Sequence, residues 1–75
     1  MPTLREVRIR KLLSLRELAK RADVAQRTIV ETEAGRQLPR PTTMRKLAEA
    51  LGVAPEEIDE FRVAIEAAIE GKDAA

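Results

Sequence analysis

The chain has no cysteine and no histidine, and both absences exclude chemistry. Without cysteine there are no disulfides, thiolate metal sites or cysteine nucleophiles, which is compatible with a reducing compartment. Without histidine there is no side chain whose ordinary pKa lies near neutrality, and only carboxylates remain as metal ligands. The carboxylates Glu56, Glu57, Asp59 and Glu60 resemble a ligand set only by their number, and their place in the first turns of a helix accounts for them. The chain therefore reads as a protein that is not an enzyme and takes no cofactor and no metal. Tryptophan and tyrosine are absent too, and the single aromatic is Phe61. It lies in an acidic stretch, so there is no stacking platform for single-stranded bases. No run approaches the roughly 18 apolar residues of a membrane span, and the N-terminal stretch has no long apolar segment followed by a small-residue cleavage site. A cytoplasmic location with no membrane partner is expected.

At 75 residues, one domain spanning 1–75 is the most the chain can support. A domain this small buries only about 60% of its unfolded surface, so well-packed helices or an oligomer must hold it. The net charge of +1 hides an uneven distribution. Up to Lys46 there are 12 Lys and Arg against 5 Asp and Glu, a net of +7, and beyond it 2 against 8, a net of −6. A basic first part suits a polyanion, and an acidic second part suits solvent or a partner protein.

Hydrophobic spacing predicts five helices and no strand. The first covers about 3–12 with Thr3 as its cap, and Leu4 and Val7 on its inner face. Ser14 and Glu17 have the spacing of a capping box, which starts a second helix over 15–22 with Leu15, Leu18, Ala19 and Ala22 inward. Asp23 tolerates the left-handed conformation that ends it. About three residues then lead into a third helix over 26–33, closed by Gly35. A proline-stiffened connection from Arg36 to Pro41 precedes a fourth helix over about 43–51, with Thr42 or Thr43 as cap and Gly52 as stop. A fifth runs over 55–70 from Pro55, and 71–75 should fray. On that fifth helix Ile58, Phe61, Ile65 and Ile69 form one apolar stripe, which is expected to face the partner subunit of a dimer, the alternative being that it closes the chain's own core.

Helix, three-residue turn and helix is the outline of a DNA-reading unit. The residues filling it resemble the helix-turn-helix family of the phage Cro and CI repressors, the XRE family. Leu15 to Ala19 is similar to the family's second helix, with Ala19 where the helices cross. Asp23-Val24 stands at its Gly-Val turn, Ile29 at the core anchor of its recognition helix, and Glu33-Ala34-Gly35 at its Glu-x-Gly ending. Lys46 to Val53 is similar to the fourth helix. Leu12 and Asp23 stand where the family often has glycine, Leu15 replaces a polar residue, Thr32 replaces a larger aliphatic, and Ala25 replaces a capping Ser or Thr. The resemblance implies an all-α, compact, five-helix lambda-repressor-like domain, with its helix-turn-helix at about 15–34.

It also implies a division of roles among the side chains. Gln26, Arg27, Thr28 and Glu31 are the expected base contacts: Gln26 matches adenine, Arg27 guanine, Thr28 a phosphate or a thymine methyl, and Glu31 the amine of cytosine. Arg16, Arg36, Gln37, Arg40, Thr43 and Arg45 are the expected phosphate contacts. Arg8 and Glu33 occupy the positions of an ion pair that ties the first helix to the recognition helix. The function implied is a transcriptional regulator that binds double-stranded DNA as a homodimer on a palindromic operator. The alternative is an interaction module or antitoxin whose acidic last helix binds a partner protein, such as a toxin or polymerase.

Overall fold

The computed structural model describes residues 2–71, and all of its regular structure is helical. The helices are α1 (Leu4–Arg10), α2 (Leu15–Ala22), α3 (Gln26–Glu33), α4 (Pro41–Leu51) and α5 (Asp59–Ile69), with one 3-10 turn at Pro55–Glu57 before α5. α2 packs against both α3 and α4, and α1 lies against α3. Leu4, Leu18, Ile29, Leu47, Ile58 and Phe61 are fully buried in one core, with Leu15 and Ala19 packed against its edge. The expected fraying of 71–75 lies, beyond Gly71, outside the described residues.

Both α1 and α2 begin with reciprocal caps. Thr3 Oγ1 accepts the Glu6 N–H at 3.2 Å while Glu6 Oε1 accepts the Thr3 N–H at 2.8 Å. Ser14 and Glu17 repeat the arrangement at 3.0 and 2.9 Å. Each exchange satisfies two backbone donors that the first turn leaves open.

Helices α1 to α4 end in one way, with a left-handed residue that returns the next N–H to the carbonyl five residues before it. Leu13 donates to Arg8, Val24 to Ala19, Arg36 to Glu31 and Val53 to Ala48, at 3.0 to 3.2 Å. The left-handed residues are Leu12, Asp23, Gly35 and Gly52. Two of these carry a side chain at φ 59° and 58°, the positions where the family often has glycine. Leucine gains nothing there, because it is 87% exposed.

Three boundaries differ from the sequence expectation. Helix α4 starts at Pro41, not at 43, so neither Thr42 nor Thr43 is its cap. Proline has no N–H to leave unpaired and its fixed φ already suits the first helical position, while Arg40 before it takes the extended conformation that a following proline imposes. Pro55 opens a 3-10 turn and not α5, because Ile58 breaks the helix with extended backbone at φ −108° and ψ 127°. That break drives Ile58 into the core and lets the Asp59 N–H donate to the Pro2 carbonyl at 2.9 Å. Helix α1 ends at Arg10, and Lys11 and Leu12 form its closing turn.

The apolar stripe is divided. Ile58 and Phe61 are 0% exposed inside the chain's own core, so they have no surface to offer a partner subunit and the expectation of a dimer contact there is corrected. Ile65 is half-buried against the same core, and Ile69 is 79% exposed. Periodicity marks these residues as apolar without saying what covers them.

Two outcomes are expected. Leu12→Gly should stabilise the domain by about 1 kcal/mol by relieving left-handed strain, and raise the thermal midpoint by about 4 to 8 °C. Calorimetry checks it, and an unchanged or lower midpoint contradicts it. Glu6 and Glu17 have their carboxyls held below the usual range, first by the cap residue's backbone N–H and then by its hydroxyl. A pKa depressed by folding adds stability above the unfolded value and loses it as pH falls through the folded one. Stability should therefore drop on acidification below the ordinary carboxylate range, and Glu6→Gln with Glu17→Gln should flatten that drop in a pH series of denaturation midpoints.

Candidate nucleic-acid interface

α3 has two opposite faces. At roughly 100° per residue, Ile29 and Thr32 fall on one side, and Gln26, Arg27, Val30 and Glu31 on the other. The first pair is fully buried, whereas Gln26 and Arg27 are exposed and Val30 and Glu31 half-exposed. Thr28 sits half-buried on the flank. The outward face thus presents an amide, a guanidinium, a branched methyl pair and a carboxylate over two turns.

The orientation of that face is set from α1. Arg8 is buried, and its Nε and Nη2 donate to Glu33 Oε2 and Oε1 at 2.7 and 3.2 Å, with both side chains 11% exposed. Its Nη1 donates to the Leu13 carbonyl at 3.0 Å. One guanidinium therefore joins α1, the approach to α2 and the last turn of α3. The family resemblance, not the spacing, pointed to Arg8 and Glu33 as partners, and the two side chains meet here at 2.7 Å. The bond to Leu13 went unseen, since a backbone acceptor leaves no residue-type signal.

Other expected contacts lie on the elements beside α3. Arg16 is exposed in the first turn of α2, Gln37 is exposed in the connection, and Arg40, Thr43 and Arg45 lie at the start of α4, with Thr43 half-buried. Among the described residues Arg16, Arg27, Arg40 and Arg45 make no ion pair. Arg36 differs, for its Nη1 donates to Glu31 Oε2 at 3.1 Å. Lys46, which the sequence did not single out, reaches the Asp23 carbonyl at 3.4 Å and so ties α4 to the turn before α3. No spacing rule reveals it, because the contact spans 23 residues.

The helices also differ in how they start. α1 and α2 have side-chain caps, whereas α3 begins after Ala25, α4 after Arg40 and α5 after Ile58 with no side-chain cap, and at α5 the Asp59 N–H is taken by the Pro2 carbonyl. The first N–H groups of α3 and α4 are left for solvent or for an acceptor from outside.

The geometry of two short helices, a left-handed turn at Asp23 and an inward anchor at Ile29 now meets a direct match: residues 4–58 match the family described as Helix-turn-helix. The chain belongs to the helix-turn-helix family of Cro and CI type. No curated protein and no solved structure matches it. The family is one of DNA-binding regulators and is not an enzyme class, and in this helix-turn-helix domain the match covers α1 to α4 and stops at Ile58. Among the described residues no group of three or more acidic side chains converges to hold a metal ion, and no helix is long and apolar enough to cross a membrane.

Thr32 departs from good packing. It is fully buried, and its Oγ1 has no hydrogen-bond partner among the described residues. A buried unpaired hydroxyl costs about 1 to 3 kcal/mol. Thr32→Val keeps the shape and removes the polar atom, so urea denaturation should show a gain of about 1 kcal/mol; a loss would mean that the hydroxyl has a partner. Arg8→Ala should act the other way and cost about 3 kcal/mol, because Glu33 and the Leu13 carbonyl would both be left unpaired in a nearly dry site. A change under about 0.5 kcal/mol, the size of a surface substitution, would show that the pair does not hold α3.

Proposed function

We propose that this helix-turn-helix domain is a sequence-specific reader of double-stranded DNA that regulates transcription as a homodimer on a palindromic operator. The observation that carries the reading is the pair Gln26 and Arg27: both are exposed in the first turn of α3, and Arg27 has no carboxylate partner among the described residues. In this fold the N-terminal residues of the second helix meet base edges, where Arg pairs with guanine and Gln with adenine. Thr28, on the flank, suits a phosphate or a thymine methyl. Arg16, Arg40 and Arg45 serve as phosphate contacts, with Gln37, Thr43 and the open N–H groups of α3 and α4 beside them. Three unpaired arginines per subunit give a dimer a salt slope of about −5, from the rule of −0.9 per phosphate.

A single recognition helix spans few base pairs, so two copies are needed for an operator. With Ile58 and Phe61 inside the core, the apolar side chains that α5 and the connection still offer a second copy are Ile69, Val63 and Leu38, the last two beside a groove of about 270 Å³, while Ile9 and Leu12 are exposed at the end of α1.

Selection from a randomised duplex library tests this. Expected is a two-fold symmetric site with half-site centres about 10 base pairs apart, and Arg27→Ala should cost about 1 to 3 kcal/mol and relax one position per half-site. If nothing is enriched and residual binding vanishes at physiological salt, the domain is an interaction module whose acidic α5 takes a partner protein.

A further inference from the structure

The C-terminal turn of α3 differs from those of α2 and α4 in what it joins. In a helix end of this type, the residue after the left-handed position commonly rests on the side chain five residues earlier through an apolar contact. At the ends of α2 and α4 the two residues so placed are apolar, Ala19 with Val24 and Ala48 with Val53. At the end of α3 they are Glu31 and Arg36. Gly35, at φ 75°, reverses the chain so that the Arg36 N–H donates to the Glu31 carbonyl at 3.0 Å. The same reversal sets the Arg36 guanidinium against Glu31 Oε2 at 3.1 Å, while Oε1 accepts no hydrogen bond from the described residues. One oxygen of the carboxylate is held and the other is free of a hydrogen bond, on a side chain that is 23% exposed and falls on the same helix face as Gln26 and Arg27.

We propose that Glu31 and Arg36 act as one reading unit, in which Arg36 holds and neutralises the Glu31 carboxylate so that its free oxygen selects cytosine in the major groove. The inference rests on the reading that α3 enters that groove, and it assigns Arg36 a positioning role in place of a phosphate contact. Two physical requirements lead to it. An unpaired carboxylate entering the groove meets the negative field of both phosphate strands, and a guanidinium bonded to it removes that repulsion. A carboxylate is also an acceptor only. Guanine and thymine present acceptors at this edge and repel it, and adenine sets its amine beside the N7 acceptor. Cytosine alone offers a donor amine with no acceptor next to it on the same base.

The test selects duplexes from a randomised library with four proteins: the unaltered domain, Glu31→Gln, Arg36→Ala and the double variant, each first shown to be helical by circular dichroism. The unaltered domain should enrich cytosine at one position per half-site. Glu31→Gln supplies a donor with an acceptor and should switch that position to adenine, leaving the other positions unchanged, with a preference of about tenfold. Arg36→Ala should weaken binding about tenfold when Glu31 is present and less than about threefold when residue 31 is glutamine, because the cost comes from the exposed carboxylate. Two results would overturn the proposal. One is a selected sequence that Glu31→Gln leaves unchanged at every position. The other is an equal loss from Arg36→Ala in both backgrounds with a salt slope smaller by about 1 per subunit, which marks an ordinary phosphate contact. If the unaltered domain enriches no sequence, the DNA-reading function itself fails, a result distinct from both.

Discussion

The joint formed by Arg8 fixes the direction of the recognition helix. An eight-residue helix has little stability by itself, so α3 takes its position from what it rests on. Ile29 anchors the inner face, and Arg8 grips the last turn through Glu33 while holding the Leu13 carbonyl behind it. A nearly buried pair of this kind adds little net stability compared with apolar packing of the same shape. Its contribution is directional, since a two-pronged guanidinium-carboxylate contact tolerates little rotation and a base-reading face must be presented at one angle.

The division of charge along the chain becomes a division of surface. Among the described residues, arginines without an ion pair sit on α2, in the first turn of α3 and at the start of α4, and the last two of these helices begin without a side-chain cap. The acidic residues of the second half are partly engaged locally: Glu57 accepts the Ala54 N–H at 2.7 Å and Glu60 the Leu4 N–H at 2.8 Å. That last bond, with the one from Asp59 to Pro2, ties both ends of the domain together across α1 and α5.

Much of this was legible in the residues. Thr3, Ser14, Gly35 and Gly52 mark helix ends through chemistry that is local, and local chemistry shows in spacing. Asp23 also marks a helix end by its tolerance of the left-handed conformation, while the resemblance added the glycine position at Leu12 and the pairing of Arg8 with Glu33, which spacing does not reveal. What escaped depends on long-range packing or on a turn. Ile58 breaks a helix that the apolar stripe continues, because the core draws it inward. Arg36 meets Glu31 at a separation of five, where no straight helix brings side chains together, and only the reversal at Gly35 makes them neighbours.

The most direct test of the account is an amide chemical-shift titration of the domain with a library-selected duplex. The largest changes should fall at residues 26–31 and 40–45, while Arg8 and Glu33 keep their shifts because the joint between them does not move. Changes confined to α5, with α3 unaltered at saturation, would contradict it.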